Sequence, residues 1–312
     1  MLKYYKTDLG KNQTILIPQI EADCWIDLSS PTQSEVEQVI AETSIDRDLI
    51  MKMLDEDELP RIESADDATL VVIDVPAQIE HGKKYVTYPL GVIITGSKHI
   101  ITISPKTTPI LNDFKKNLIK DFHTGKKTRF LIQIIAAAAA GYLKILNEIY
   151  RQIEDKEETL KVSTKNEDLI DLLSTEKSLV YFTTSLKEND LVLERLSKGI
   201  MLPLYEGDLD LLEDAMIENR QAIDMAGIYR DILGSITETY GTIISNNLNN
   251  VMKFLAGATI VISVPTLISS FLGMNVWFGD IGVNHISAIA VLIFSIIASL
   301  IVAYILKKKG ML

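Results

Sequence analysis

Two uncharged apolar runs near the end of the chain, 254–272 and 286–306, hold 19 and 21 residues. At 1.5 Å per residue each matches a bilayer core of roughly 30 Å, so both read as membrane-spanning helices. The first leads through Gly273-Met274-Asn275 and a short loop, 276–285, into the second. A basic tail follows, Lys307-Lys308-Lys309-Gly310-Met311-Leu312. That tail and Lys253 carry positive charge, and the loop carries no Lys or Arg. The positive-inside rule places both termini in the cytoplasm, the loop outside, and Gly273 at the outer mouth.

The remaining 250 residues are highly charged. Of 31 basic and 42 acidic residues, 27 and 41 lie before residue 251, a net charge of −14. Such a body repels nucleic acid and attracts metal cations, although acidity also serves plain solubility. One cysteine, Cys24, excludes an internal disulfide framework and suits a cytoplasmic domain. The opening residues, Met1-Leu2-Lys3-Tyr4-Tyr5-Lys6, have no apolar core of a signal peptide. His81, His99, His123 and His285 show no metal-ligand spacing, and Cys24 has no evident catalytic partner. An enzyme is not expected.

The pattern predicts a cytoplasmic α/β domain over 1–125 and an antiparallel helical hairpin over 126–202. The cytoplasmic part of a stalk helix follows over 203–250, then membrane helices over 251–272 and 286–306, an external loop over 273–285 and a basic tail over 307–312. Strands are expected at 14–20, 24–28, 69–75, 84–94 and 99–103, where Val, Ile, Thr and Tyr concentrate, with a hairpin turn at Gly96-Ser97. Helices are expected at 34–53, with Ser34 as N-cap, and at 112–122. The run Ala136–Ala140 marks a strong helix former within 128–162. Asn166–Gly199 repeats the helical pattern, with the hairpin turn near Ser163-Thr164-Lys165. From Gly207 to Leu272 helical spacing is broken by no proline but Pro265, and a helix that long needs neighbours to be stable.

Along the first membrane helix, small and polar residues share one face. Asn249, Ala256, Ser263 and Ser270 recur every seventh position, with Thr259 and Thr266 between them. Such a seam serves either a tight helix–helix interface or a water-filled axis. The second reading requires a homo-oligomer, because one hairpin cannot enclose a pore. A helix ending at Gly273 aims unpaired carbonyls and roughly half a negative charge outward. Asn275 would add a ring of amide oxygens able to accept hydrogen bonds from the water of a hydrated ion. Mg²⁺ gives up that water reluctantly, so a neutral ring suits it.

These residues resemble the CorA family of divalent-cation transporters. The likeness runs from Leu211 onward through Asp224-Met225, Tyr229-Arg230-Asp231-Ile232-Leu233, Ser245-Asn246-Asn247-Leu248-Asn249-Asn250-Val251-Met252-Lys253 and Phe271-Leu272-Gly273-Met274-Asn275. The resemblance implies an α+β membrane protein built as a pentameric funnel in the cell membrane, with the first membrane helix lining the pore. It implies Mg²⁺ influx, with Co²⁺ and Ni²⁺ often carried, and no organic cofactor. Gly273, Met274 and Asn275 would form the selectivity filter. Asn249, Leu255, Ala256, Thr259, Ser263, Thr266 and Ser270 would line the pore. Asp214, with Asp66 or Asp67 of a neighbouring subunit, would bind a regulatory Mg²⁺. Three departures stand out: Leu272 where the family usually has Tyr, Asp280 as the loop's one acid, and Ser263 where some members carry a bulky apolar ring, which leaves Leu255 or Met252 as the candidate constrictions. A sister branch with the same tripeptide moves Zn²⁺, and a membrane-anchored structural or sensory protein without conduction is the alternative of another class.

Overall fold

The computed structural model describes residues 1–8, 10, 13–65, 68–78, 85–96, 99–162, 166–274 and 285–311. The expected turn at 163–165, Ser97 of the expected hairpin turn, Asp66, Asp67, Asn275 and the loop to 284 lie outside them. The chain divides into two units, Met1–Ile236 and Thr237–Leu312.

The first unit is built on a seven-stranded sheet. Its strands are β1 (Leu2–Asp8), β2 (Gln13–Ile17), β3 (Trp25–Ser29), β4 (Arg61–Ala65), β5 (Ala68–Gln78), β6 (Tyr85–Thr95) and β7 (His99–Ser104). Their order is β2-β1-β3-β7-β6-β5-β4. The pair β3–β7 is parallel, with Ile26 opposite Ile101, and the other pairs are antiparallel.

Period-2 alternation splits the apolar residues between two faces. On β5, Val71, Ile73 and Val75 enter one core with Trp25 and Leu90, beneath Phe114, Phe130 and Leu193. Leu70 and Val72 enter the other, with Ile26, Leu28 and Ile101, beneath Val36, Val39, Ile50 and Met53. Gly91 permits the second layer to close down, since a Cβ there would fall 2.4 Å from Met53 Sδ. Trp25 anchors the first. Its indole N–H donates to Thr102 Oγ1 at 2.8 Å, and the Tyr5 and Phe130 rings lie 4.9 and 5.0 Å from it.

The single helix expected over 34–53 is two helices, α1 (Gln33–Thr43) and α2 (Arg47–Lys52). Thr32, not Ser34, is the N-cap. Its hydroxyl accepts from the Glu35 N–H while Glu35 accepts from the Thr32 N–H, a reciprocal capping box. Those bonds, the Thr32 one foremost, pull the Glu35 carboxyl down to about 2. Ser44 ends α1 in the left-handed region at φ 57°, and Asp46 starts α2 by accepting from the Asp48 N–H. The helix expected over 112–122 is also shorter. It runs as α3 (Ile110–Lys115), and positive φ at Asn117 and Asp121 breaks the continuation.

Helices α4 (Lys127–Val162) and α5 (Asn166–Ser197) follow. They run antiparallel, as the pairs Lys156–Asp171 and Tyr142–Phe182 require. Helix α6 (Glu206–Leu272) spans 67 residues and passes through Pro265. Its early turns pack within the first unit: Leu212 and Ala215 join the Trp25 core, Asn219 donates to the Leu186 carbonyl, and Tyr229 stacks on Tyr150 at 4.9 Å. In the second unit α6 continues from Thr237 and α7 (His285–Lys308) follows.

Among the described residues, three helices are long and apolar enough to cross a membrane: parts of α4, α6 and α7. The apolar window of α4 is 56% buried within the protein, against 6% and 11% for those of α6 and α7. Helix α4 spends its apolar surface on the sheet, whereas the other two leave theirs uncovered.

Candidate ion pathway

The membrane-length part of α6 has two dissimilar faces. Gly257, Ala258, Val261, Val264, Pro265, Ile268 and Leu272 are its less exposed positions. Leu267, Ile268, Phe271 and Leu272, with Ala290, Val291 and Phe294 of α7, line an apolar gap of about 530 Å³, which places α7 on the Ile268–Leu272 side of the helix. The seam Asn249, Ala256, Thr259, Ser263, Thr266 and Ser270 is exposed throughout, as is Leu255 at its edge. At 3.6 residues per turn the seam falls on the opposite side of the helix from the α7 face. The polar stripe is therefore not the interface between the chain's own two helices.

Three hydroxyls of the seam share one geometry. Thr259 Oγ1 donates to the Leu255 carbonyl at 2.8 Å, Ser263 Oγ to Thr259 at 2.7 Å, and Thr266 Oγ1 to Ile262 at 3.2 Å. Donation back to the preceding turn uses each hydroxyl's one proton and leaves its lone pairs as acceptors. Three such acceptors, their protons already used, suit the outward-pointing hydrogens of water around a cation. Pro265 removes one N–H from the ladder, but the helix continues.

Helix α6 closes at Leu272. The Gly273 N–H donates to the Ser269 carbonyl at 3.0 Å and the Met274 N–H to Phe271 at 3.4 Å. A Cβ at Gly273 would sit 3.3 Å from the Ser269 oxygen, so any larger residue crowds the carbonyl end that would face an approaching ion. Gly273 and Met274 are both exposed.

In the first unit, Asp214 is exposed on α6. One turn on, burial and then the charge of Asp214 push the Glu218 carboxyl above the ordinary range. No group of three or more His, Cys, Asp or Glu placed to hold a metal occurs among the described residues. Asp208 has a different role from its acidic neighbours. It is 3% exposed, accepts from Arg129 at 3.3 Å and from the Tyr205 N–H at 3.4 Å, and ties the start of α6 to the start of α4. Sequence spacing gives no sign of that pair, because 79 residues separate its members.

The family model described as CorA-like Mg²⁺ transporter protein matches residues 21–308. The chain belongs to this family. The cobalt/magnesium transport protein CorA of Methanocaldococcus jannaschii is 26% identical over 292 residues, covering 92% of this chain and 90% of the relative. That of Thermotoga maritima is 19% identical over 290 residues, covering 91% and 82%. The complete structure of the CorA magnesium transporter from M. jannaschii superposes with a TM-score of 0.85 at 23% identity, over 100% of this chain and 99% of that one. The sheet unit, the long α6 and the terminal hairpin are thus the CorA fold.

Proposed function

We propose that this CorA-like chain moves hydrated Mg²⁺ into the cell, and Co²⁺ and Ni²⁺ with it, through a pore on the axis of a homopentamer. The observation that carries the reading is the exposed acceptor seam of α6, on the side opposite α7. In a ring of five chains α7 faces lipid and the five seams enclose water. The membrane is crossed twice, by the C-terminal part of α6 and by α7, with both chain ends in the cytoplasm.

Each segment of the path has a chemical task. The carbonyl end of α6 and the Asn275 amides form a neutral, oxygen-rich filter at the outer mouth with Gly273 and Met274. That filter accepts hydrogen bonds from the ion's water and need not strip it. Thr266, Ser263 and Thr259 hand the hydrated ion inward, Ser270 and Ala256 keep the bore wide, and Asn249 provides an inner amide ring. Met252 and Leu255 are the bulky apolar side chains able to close the bore near its cytoplasmic end.

Control comes from Mg²⁺ at the stalk. Asp214, with Glu218 a turn away, presents carboxylates toward Asp66 or Asp67 of a neighbouring subunit. A bridging Mg²⁺ neutralises their repulsion and holds the ring closed, and its loss at low internal Mg²⁺ shifts the population toward the open ring.

The test is Mg²⁺ uptake by the purified protein in liposomes, with Co²⁺, Ni²⁺ and Zn²⁺ as competitors. Saturable Mg²⁺ entry inhibited by Co²⁺ and Ni²⁺ is expected. Entry of Zn²⁺ alone would move the protein to zinc transport, and no metal entry would make it a structural or sensory membrane protein.

A further inference from the structure

A cavity of about 790 Å³ opens in the Met1–Ile236 unit where α4 begins, between the β4–β5 end of the sheet and the segment before α6. Helix α4 is 36 residues long. Its first intrahelical bond is Phe130 N–H to the Lys126 carbonyl, and among the described residues no hydrogen bond takes up the backbone N–H of Lys127, Thr128 or Arg129. All three residues line the cavity. Three free N–H groups at a helix N-terminus form an anion seat.

Side chains around the cavity agree with that charge. Lys126 is exposed, lines the cavity and has no ion pair among the described residues. Thr128 is only 7% exposed and lines the same cavity, and its hydroxyl has no hydrogen-bond partner among the described residues. Arg129 carries a buried Nε without a partner among the described residues, while its Nη1 donates to Asp208 and to the Gly207 carbonyl. Asp208, the cavity's one described carboxylate, is thereby occupied by Arg129 and the Tyr205 N–H. The opposite wall is apolar, with Leu202 and Pro203, and Tyr205 stands 68% exposed at its edge.

We propose that this cavity binds a phosphorylated small molecule of nucleotide size, its phosphates on the N-terminus of α4 between Lys126 and Thr128, and its aromatic portion against Leu202, Pro203 and Tyr205. The volume falls in the range of roughly 300–1,000 Å³ of small-molecule sites, and the division into a polar seat and an apolar wall is that of such sites. A ligand there would touch the starts of both α4 and α6. The proposal does not depend on the proposed ion pathway.

The test is equilibrium binding of ATP and of pyrophosphate to the full-length protein in detergent, with EDTA present so that no metal chelate forms. Wild type is expected to bind both saturably. Lys126→Glu should weaken both by about tenfold or more, the usual effect of losing a charge-assisted contact. Thr128→Val, nearly equal in volume, should weaken both by a smaller factor. Tyr205→Ala should weaken ATP and leave pyrophosphate unchanged. Absence of saturable binding by wild type, or equal affinity in Lys126→Glu and Thr128→Val, overturns the phosphate seat. ATP affinity unmoved by Tyr205→Ala overturns the aromatic half. Unchanged circular dichroism of each variant separates lost binding from lost fold.

Discussion

Asp74→Asn should remove a loss of stability that the Met1–Ile236 unit undergoes as pH rises from 3.8 to about 6. Asp74 lies on β5 beneath α5, 9% exposed. Its backbone exchanges two hydrogen bonds with the Asn189 amide, at 2.9 and 2.8 Å, and its carboxylate accepts from Ser185 Oγ at 2.5 Å. Thr87 Oγ1 lies 3.0 Å from the same serine, and the buried Tyr142 hydroxyl and Glu188 are within electrostatic reach. Burial dominates over the serine bond and raises the carboxyl from 3.8 to about 6. A carboxyl whose folded value is raised gives its full stabilisation below the unfolded value, and that stabilisation is lost as pH rises through the folded value. Here the window runs from 3.8 to about 6. The whole difference is about 3 kcal/mol, of which about 1.4 kcal/mol separates pH 5 from pH 7.5. For a unit of this size 1 kcal/mol moves the melting temperature by about 2–4 °C. Asn carries no ionisation cost and keeps an oxygen for Ser185. The midpoint of the variant minus that of wild type, followed by near-ultraviolet circular dichroism, should therefore be higher at pH 7.5 than at pH 5 by about 3–6 °C. An offset independent of pH would refute the claim that a buried carboxylate is ionised there at neutral pH.

Other consequences are simpler. Asn275→Ala should abolish Mg²⁺ uptake while native mass measurement still finds a pentamer; wild-type rates would remove the amide ring from the filter. Asp214→Lys should place a positive charge where Mg²⁺ would bridge, so proteolysis of the stalk becomes indifferent to millimolar Mg²⁺ while wild type gains protection; identical Mg²⁺-dependent protection in both would exclude Asp214 as the sensor. Trp25→Ala removes the centre of the aromatic core and its bond to Thr102, and should cost about 3–5 kcal/mol in denaturant unfolding; a loss below about 1 kcal/mol would mean that the core refills.

The long elements were legible because their signal is cumulative. Sixty-odd residues of uninterrupted helical spacing announce α6, and β-branched runs announce β5, β6 and β7. Short elements depend on single contacts. Strand β1 carries Lys3, Lys6 and Asp8 among its tyrosines, and β4 carries Arg61 and Glu63 at the sheet's edge, where charge blunts further pairing. Neither shows an apolar run. The break between α1 and α2 rests on one left-handed serine, Ser44, a conformation that serine gives no particular reason to expect. Periodicity found the seam of α6, but which face α7 covers is a tertiary fact. Hydropathy alone also could not rank α4 against α6, since only burial separates a core helix from an uncovered one.

The central claim, that the seam opposite α7 lines the path of the ion, is tested most directly by cysteine accessibility during transport. The native thiol offers little background, because Cys24 is 0% exposed. Ser263→Cys and Thr266→Cys on the seam, and Val261→Cys and Ile268→Cys on the α7 face, would each be treated with a charged methanethiosulfonate while Mg²⁺ uptake into liposomes is followed. Block of uptake in the two seam variants, with the two others unaffected, is predicted. Block in the α7-face variants with the seam variants indifferent would contradict the account.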